Sequence, residues 1–458
     1  MKTILIVGFS ITAQYSRKGY DDLLSKYDKV YFTRPDKYFN KGLFLLNPGE
    51  WKSFLLFSLP KILKKLIPFF KYKDHINDNE KWINYKLLKN NPAFSSAISL
   101  SPTLKDKFKS LKLSFSLVKK ISLQLNKDRF SLPIKDIDSS GYILDSLQRF
   151  VPNFKIHKLS SPLVFVCSWL YVFNIINYLN WLEKFAEKNK VESALINHQF
   201  YMESGFISYY LNKKFKTKII HFSVKNKYPV FVEPRVKWFK KILDKKLFES
   251  LLSNEMIKNE KKNLHRQTHA LFDIEDCSLK PFDNKTIVII MHCFADANSM
   301  HIENGVIFSS HFQWIRSTLS IAKKNKDIKY IFRAHPASFD HYKSDLKVLD
   351  YLFGNIDEKN IKLEKPGKYS QFFSNDKMPI CVTAKSNFSQ ELAIAGIKCI
   401  TLDDSSAPND CCKKINSNEE YVQWLSGRGD VNQLRLSKKQ IFSARLNKQI
   451  YAELNNLK

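Results

Sequence analysis

A basic residue and a histidine stand together in the second half of the chain. Arg333 and His335 follow the apolar run Tyr330–Phe332, and Pro336 comes directly after the histidine. An arginine and a histidine at the end of a buried strand can meet a phosphate or a diphosphate. Pro336 restricts the backbone of His335 to extended conformations, which helps to fix where the imidazole points. The segment therefore indicates chemistry on a phosphorylated ligand.

A second polar cluster separates the apolar run Ile380–Thr383 from a helical pattern that Gly396 ends. The free N–H groups and the positive dipole end of a helix suit a phosphate. Glu391 lies about one turn into the helix, where a carboxylate can take a pair of ribose hydroxyls. The side chains that we expect to hold the phosphate at this turn are Lys385, Ser386, Asn387 and Ser389.

Polar residues also follow the first apolar run of the second half. His292 ends the run Ile287–Met291, and Asp296 comes four residues later. Parallel strands bring their carboxyl ends to one edge of a sheet, and open α/β sheets bind ligands there. We therefore expect His292 to join the nucleotide-binding residues and Asp296 to be a candidate catalytic carboxylate.

The first half has a similar strand end. The run Ala194–Ile196 is followed by His198 and Gln199, and then by Glu203 at the entry to a helix. A histidine and a carboxylate beside a strand end can do acid–base work or bind an acceptor. We assign His198 and Gln199 to the acceptor side and Glu203 to the candidate catalytic residues.

The alternation of apolar runs with helical patterns predicts an α/β protein. A chain of 458 residues is too long for one ordinary core, so we predict two domains. The first covers 1–278 and carries a helical insertion at about 40–150. A connector at 279–284 leads to a second domain at 285–425, and helices at 426–458 pack back.

The composition limits the classes of binding partner that we expect. The net charge is +30, from 74 Lys and Arg against 44 Asp and Glu, which suits anionic ligands or an anionic surface. No zinc-finger spacing, RNA-binding aromatic signature or concentrated basic helix is visible, so we expect no nucleic-acid partner. Seven cysteines without a CxxC pair indicate reduced thiols in the cytoplasm. The apolar run Ile4–Val7 is too short for a signal peptide and predicts a first strand.

Two apolar stretches raise the question of whether the chain contacts or crosses a membrane. Trp51–Lys73 combines lysines with aromatic and aliphatic residues, and Pro60 and Pro68 interrupt it. It is either an interfacial segment on an anionic membrane or a pair of helices packed on the domain. Pro162–Leu179 is the most apolar part of the chain, and we predict a buried helix there because it is marginal in length for a membrane span.

Three segments of the second half resemble one family. MHCFADANS at 291–299, FRAHPAS at 332–338 and TAKSNFSQELAIAGIKCITL at 383–402 are similar in order and spacing to the bacterial capsule polysaccharide biosynthesis proteins. That family includes Kdo transferases that use CMP-Kdo. The His-Pro and Ser elements also resemble bacterial sialyltransferases. The likeness covers roughly residues 285–405, and the first half is similar only at INHQFYMESG, 196–205.

The resemblance implies a GT-B fold of two Rossmann-like domains, with a CMP-sugar held mainly by the second. It implies a cytoplasmic glycosyltransferase of capsular or lipopolysaccharide biosynthesis, with a glycan or glycolipid acceptor. Peripheral contact with the inner membrane face is an expectation from the basic and apolar Trp51–Lys73 stretch. His335 and Arg333 would then stabilise the leaving phosphate, with His335 as a candidate proton donor. The resemblance does not identify the residue that activates the acceptor. From their positions after strands, Asp296 or Glu203 is the candidate carboxylate that activates the acceptor or stabilises the sugar cation. We expect no metal and no cofactor besides the donor.

Other functions stay open on the sequence. A polyol-phosphate transferase of the CDP-glycerol type carries a similar His-Pro element. A capsule assembly or export scaffold without catalysis would use the basic Trp51–Lys73 stretch to dock on the membrane. An esterase would need Ser10 as its nucleophile, in the segment GFSIT at 8–12.

Overall fold

The chain is described by a computed structural model over residues 2–7, 23–33, 35, 94–97, 104–124, 132–148, 162–196, 201–221, 230–232, 280–296, 307–308, 310–340, 343–365, 376–384, 388–402, 411–438, 440–441 and 443–444. These residues fall into two compact units, and the chain passes from the first unit to the second after Val236. Each unit is an α/β structure on a mostly parallel sheet, which is compatible with a Rossmann-like fold.

The sheet of the first unit has six strands: β1 (Thr3–Val7), β2 (Lys29–Thr33), β3 (Phe94–Ala97), β6 (Ser193–Ile196), β7 (Lys218–His221) and β8 (Val230–Val232). Their order is β3-β2-β1-β6-β7-β8, and β8 alone runs antiparallel to its neighbour. All five residues of β1 are buried, as expected for a strand that is covered on both faces.

The other elements of the first unit are α1 (Leu104–Gln124), the hairpin β4 (Pro133–Ile134) and β5 (Ile137–Asp138), α2 (Ser140–Gln148), α3 (Pro162–Asn189), a π-helix (Tyr201–Phe206) and α4 (Ile207–Phe215). The predicted buried helix is confirmed, since α3 begins at Pro162 and its middle turns are buried. No helix in the described part of the chain is long and apolar enough to cross a membrane.

The second unit has six parallel strands: β9 (Phe282–Ile290), β10 (Lys329–Arg333), β11 (Ile361–Glu364), β12 (Met378–Thr383), β13 (Cys399–Thr401) and β14 (Cys412–Lys414). Their order is β11-β10-β9-β12-β13-β14. The chain thus moves outward from β9 through β10 to β11, and then returns to the other side of β9. The strand order reverses between β9 and β12.

The helices of the second unit are α5 (His311–Lys324), α6 (Ala337–Asp340), α7 (Lys343–Phe353), α8 (Phe388–Ile394) and α9 (Asn418–Leu425), with a 3-10 turn at Val431–Leu434. Alternate residues of β9 point to opposite faces of the sheet. Ile287 and Ile289 join a core with α5, α7 and α9, whereas Val288 and Ile290 pack in a core with α8. The sheet is therefore covered on both sides.

Three predicted regions contain elements that differ from the prediction. The region predicted as a helical insertion, about 40–150, contains β3, which is the edge strand of the first sheet. Its sequence, FSSA, lacks the apolar run that marked the other strands. The predicted connector at 279–284 overlaps β9, which already begins at Phe282. Within the predicted C-terminal helices, Val431–Leu434 is a 3-10 turn, and Arg435 forms a bridge with Ile397.

The end of α8 agrees with its sequence signal. Gly396 was predicted to end this helix, and α8 stops at Ile394 with Gly396 at φ +94°. Glycine reaches this left-handed region at little cost because it has no Cβ. The turn at Gly396 reverses the chain and brings β13 (Cys399–Thr401) beside β12 in parallel register.

Candidate functional site

The three central strands of the second unit end at one level. Arg333 of β10 and Thr383 of β12 are both paired with Ile290 of β9. Met291 continues the pairing, since its N–H donates to the carbonyl of Arg333 at 3.0 Å. His292 and His335 each lie two residues beyond these ends. Both histidines therefore stand at the carboxyl edge, next to the point where the strand order reverses.

The two histidines are stacked. The ring centroids of His292 and His335 are 5.3 Å apart with an interplanar angle of 27°. Nε2 of His292 lies 4.0 Å from Oδ2 of Asp296, four residues further along the same loop. Three of the residues predicted from separate segments are thus brought together, and all three side chains are partly accessible.

A buried carboxylate holds the two histidine loops in place. Asp345, near the start of α7, accepts hydrogen bonds from the N–H groups of Phe294 and Ala295 at 2.8 and 3.0 Å. It also accepts from the hydroxyl of Ser338 at 2.7 Å. Burial raises the pKa of Asp345 to about 6, against the opposing effect of these donors. One side chain therefore ties the loop after β9 to the segment after β10.

The hydrogen bonds of His335 select its tautomer. The N–H of Ala337 donates to Nδ1 of His335 at 3.2 Å, and the Sγ of Cys293 lies 3.1 Å from the same nitrogen. Nδ1 is then an acceptor, so the neutral ring carries its hydrogen on Nε2. Burial and the neighbouring His292 lower the pKa of His335 to about 4. At neutral pH, His335 is an uncharged donor with a fixed orientation.

Cys293 and His311 support the histidine pair. Burial raises the pKa of the Cys293 thiol to about 12, so this group is a neutral thiol rather than a thiolate nucleophile. The backbone N–H of His292 donates to Nε2 of His311 at 3.1 Å. His311 is fully buried, and its pKa lies well below the ordinary value because of that burial. The sequence reasoning missed both residues, together with Ser338 and Asp345.

Two predicted phosphate ligands are placed differently from the expectation. Arg333 is 2% exposed, and its Nη1 lies 3.3 Å from Oε2 of Glu364, the residue paired with it on β11. As the last residue of β10 it shares the face of Ile331, which is in the α8 core. Ser389 is fully buried within α8. Neither side chain presents a donor to solvent, which corrects their assignment as exposed phosphate ligands.

Three of the remaining predicted residues lie in the described parts of the chain. Pro336 is exposed and Glu391 is half-buried. Glu203 lies in the π-helix of the first unit, where it accepts from the hydroxyl of Ser146 at 3.4 Å. Lys385, Ser386, Asn387, His198 and Gln199 lie outside the described residues, as do Ser10 and the stretch Trp51–Lys73.

The described residues offer no group of three or more histidine, cysteine or acidic side chains that could hold a metal ion. The chain has an Asp-x-Asp triplet at Asp136–Asp138, a pattern that often binds metals. Asp138, however, accepts from the N–H groups of Leu132 and Ser140, both at 3.1 Å. It therefore has a structural role at the start of α2.

Neither a scan against protein-family models nor a search of curated proteins gave a match.

The substitution Asp345→Asn tests whether the Asp345 carboxylate holds the segments after β9 and β10 in place. Asparagine has a single acceptor oxygen for the donors that Asp345 binds, and its amide brings N–H groups toward them. We expect a local loss of about 1–3 kcal/mol, seen as faster amide hydrogen exchange in residues 291–296. Asp350→Asn is the control, since Asp350 is exposed on the same helix. Unchanged exchange in Asp345→Asn would contradict the role.

The state of His335 can be measured by NMR on protein labelled with ¹⁵N-histidine. We expect its ring to titrate with a pKa of about 4 and to be the Nε2–H tautomer above that pH. In His292→Ala the pKa should rise toward 6.5, because both the neighbouring ring and part of the burial are removed. A wild-type His335 that titrates near 6.5, or carries its neutral proton on Nδ1, would refute the assignment.

Proposed function

We propose that the protein is a glycosyltransferase that uses a CMP-sugar of the Kdo or sialic acid type and a glycan or glycolipid acceptor. The observation that carries the proposal is the stacked pair of His292 and His335 at the carboxyl edge of the second sheet. Ligands of open α/β sheets bind beside the reversal of strand order. The likeness of the His-Pro segment and its neighbours to the capsule family favours a CMP-sugar as this ligand.

His335 would stabilise the leaving group as a neutral donor. In the reaction, the bond between the anomeric carbon and a phosphate oxygen of the donor breaks, and its electron pair leaves with CMP. The Nε2–H of His335 can donate to that phosphate while its charge grows. A second proton on the ring would have to occupy Nδ1, where Ala337 already donates. This favours charge stabilisation by His335 over transfer of a proton from it.

The acceptor hydroxyl forms the new bond to the anomeric carbon and loses its proton to a base. Asp296 is our first candidate for this base, because it is partly exposed and lies on the same loop as His292. Glu203 is the second, on the first unit. Its segment is a π-helix in which Tyr201 has φ +64°, and such irregular turns are frequent at functional sites.

The proposal extends to the fold of the enzyme, its cellular location and its product. The two units would be the two halves of a GT-B enzyme, with the donor on the second unit. The enzyme would act in the cytoplasm in the synthesis of a surface polysaccharide. The mostly parallel sheet of the first unit and the parallel sheet of the second support this fold, and the strand order of the second sheet matches the doubly wound order common in nucleotide-binding domains.

A thermal-shift panel with CMP, CDP, UMP, UDP, GDP and ADP tests the proposal. A ligand at about one hundred times its Kd adds roughly 2.7 kcal/mol to the free energy of unfolding. We expect CMP to raise the melting temperature of the wild type and to have no effect on His335→Ala. Lys347→Ala is the control, because it removes an exposed cation from α7 and should keep the response.

The other outcomes separate the alternatives. A preference for CDP, followed by turnover of CDP-glycerol, would replace the donor by a polyol phosphate. A preference for UDP or GDP would contradict a CMP-sugar. No response to any nucleotide, or an equal response in His335→Ala, would refute the proposed site.

A further inference from the structure

The helix α1 has its polar and aromatic residues on unexpected sides. The side that packs against α3 carries Ser110 and Ser114, both fully buried. Ser110 accepts from the amide of Asn180 at 3.1 Å, and Ser114 accepts from the indole N–H of Trp169 at 2.9 Å. α1 also buries Leu117 and Val118, but a surface helix of a globular protein normally exposes its serines rather than burying them.

The opposite side of α1 exposes aromatic rings. Phe108 is 72% exposed and Phe115 is 48% exposed. Phe115 keeps one edge against α3, where its ring centroid lies 5.5 Å from that of Phe165 and 5.9 Å from that of Trp169. With three exposed lysines they form a stripe at a spacing of three and four residues, which we call the outward face of α1: Lys105, Phe108, Lys112, Phe115 and Lys119. Leu113 and Val166 add partly exposed apolar surface to the same unit.

The surroundings of this face are strongly basic. α1 contains six lysines and one aspartate, a net charge of +5. Beside it, Lys109, Ser110 and Leu113 line a cleft of about 780 Å³. Its other charged residues are Lys135, Asp136, Glu183, Lys184, Lys213 and Lys214. The cleft therefore has a net charge of +3, and its Glu183 already binds Lys135, Lys214 and Tyr210.

We propose that the outward face of α1 docks the protein on a membrane surface of anionic lipids. Phe108 and the exposed edge of Phe115 would enter the boundary between headgroups and acyl chains, while the three lysines of the same face bind the phosphates. The alternation of lysine with phenylalanine favours lipid over a protein partner, because the centres of protein interfaces are depleted in lysine. A second copy of α1 would bring the same positive charge and be repelled. The proposal does not depend on the reaction proposed above.

Flotation of the full chain with lipid vesicles tests this proposal. One set of vesicles is pure phosphatidylcholine, and the other contains phosphatidylcholine with phosphatidylglycerol. We expect the wild type to float with the anionic vesicles and not with the neutral ones. Phe108→Ser with Phe115→Ser, and separately Lys105→Glu with Lys112→Glu and Lys119→Glu, should each weaken binding at least tenfold. Phe108 and the three lysines are exposed, so the fold should survive their substitution, and melting temperatures check this. Because Phe115 also packs against α3, Phe108→Ser alone is tested beside the double variant and should weaken binding in the same direction.

A matched control separates docking by α1 from general attraction to a basic protein. Lys347→Glu with Lys359→Glu and Lys438→Glu changes the net charge equally on exposed positions of the second unit. It should float as the wild type does. Equal loss in this control, unchanged flotation of the α1 variants, or no flotation of the wild type would overturn the proposal. So would self-association that is abolished by Phe108→Ser, since a second copy would then cover the face.

Discussion

The buried carboxylate of Asp345 is the interaction on which the candidate site depends. It accepts from two backbone N–H groups of the loop after β9 and from a hydroxyl of the segment after β10. These two segments carry His292 and His335, which contact each other through their rings. A buried charge is costly unless it is hydrogen-bonded, and the three donors supply that compensation. The positions of the two histidines thus depend on the buried side chain of Asp345.

The electrostatics of the site follow from this arrangement. Burial keeps both His311 and His335 neutral at neutral pH. The backbone N–H of Ala337 donates to Nδ1 of His335, so the ring hydrogen is on Nε2, from which it can be donated to a ligand. The nearby guanidinium of Arg333 is paired with Glu364 inside the sheet. An oriented neutral donor costs less to bury than a cation, and in the proposed reaction it would stabilise the charge that develops on the leaving phosphate.

The parts of the structure that could be predicted from the sequence are those with a continuous apolar signal. β1 (Thr3–Val7) lies at the predicted run Ile4–Val7, because that run is continuously apolar. β3 was missed because FSSA has no such signal and pairs only at the sheet edge. His292 and His335 were found because strand ends can be recognised locally. Asp345 could not be found, since its partners are 7 to 51 residues away and nothing in the sequence of α7 marks it. Arg333 was misplaced because the alternation of side chains at the last residue of a strand decides whether it is buried.

The central claim is that the phosphate of a cytidine nucleotide binds at the stacked histidines. The most direct test is a crystal structure of the protein with CMP. We predict a phosphate oxygen within about 3 Å of Nε2 of His335, with the base and ribose extending over the carboxyl ends of β9 and β12. CMP bound elsewhere, with the rings of His292 and His335 free of contact to it, would contradict the account.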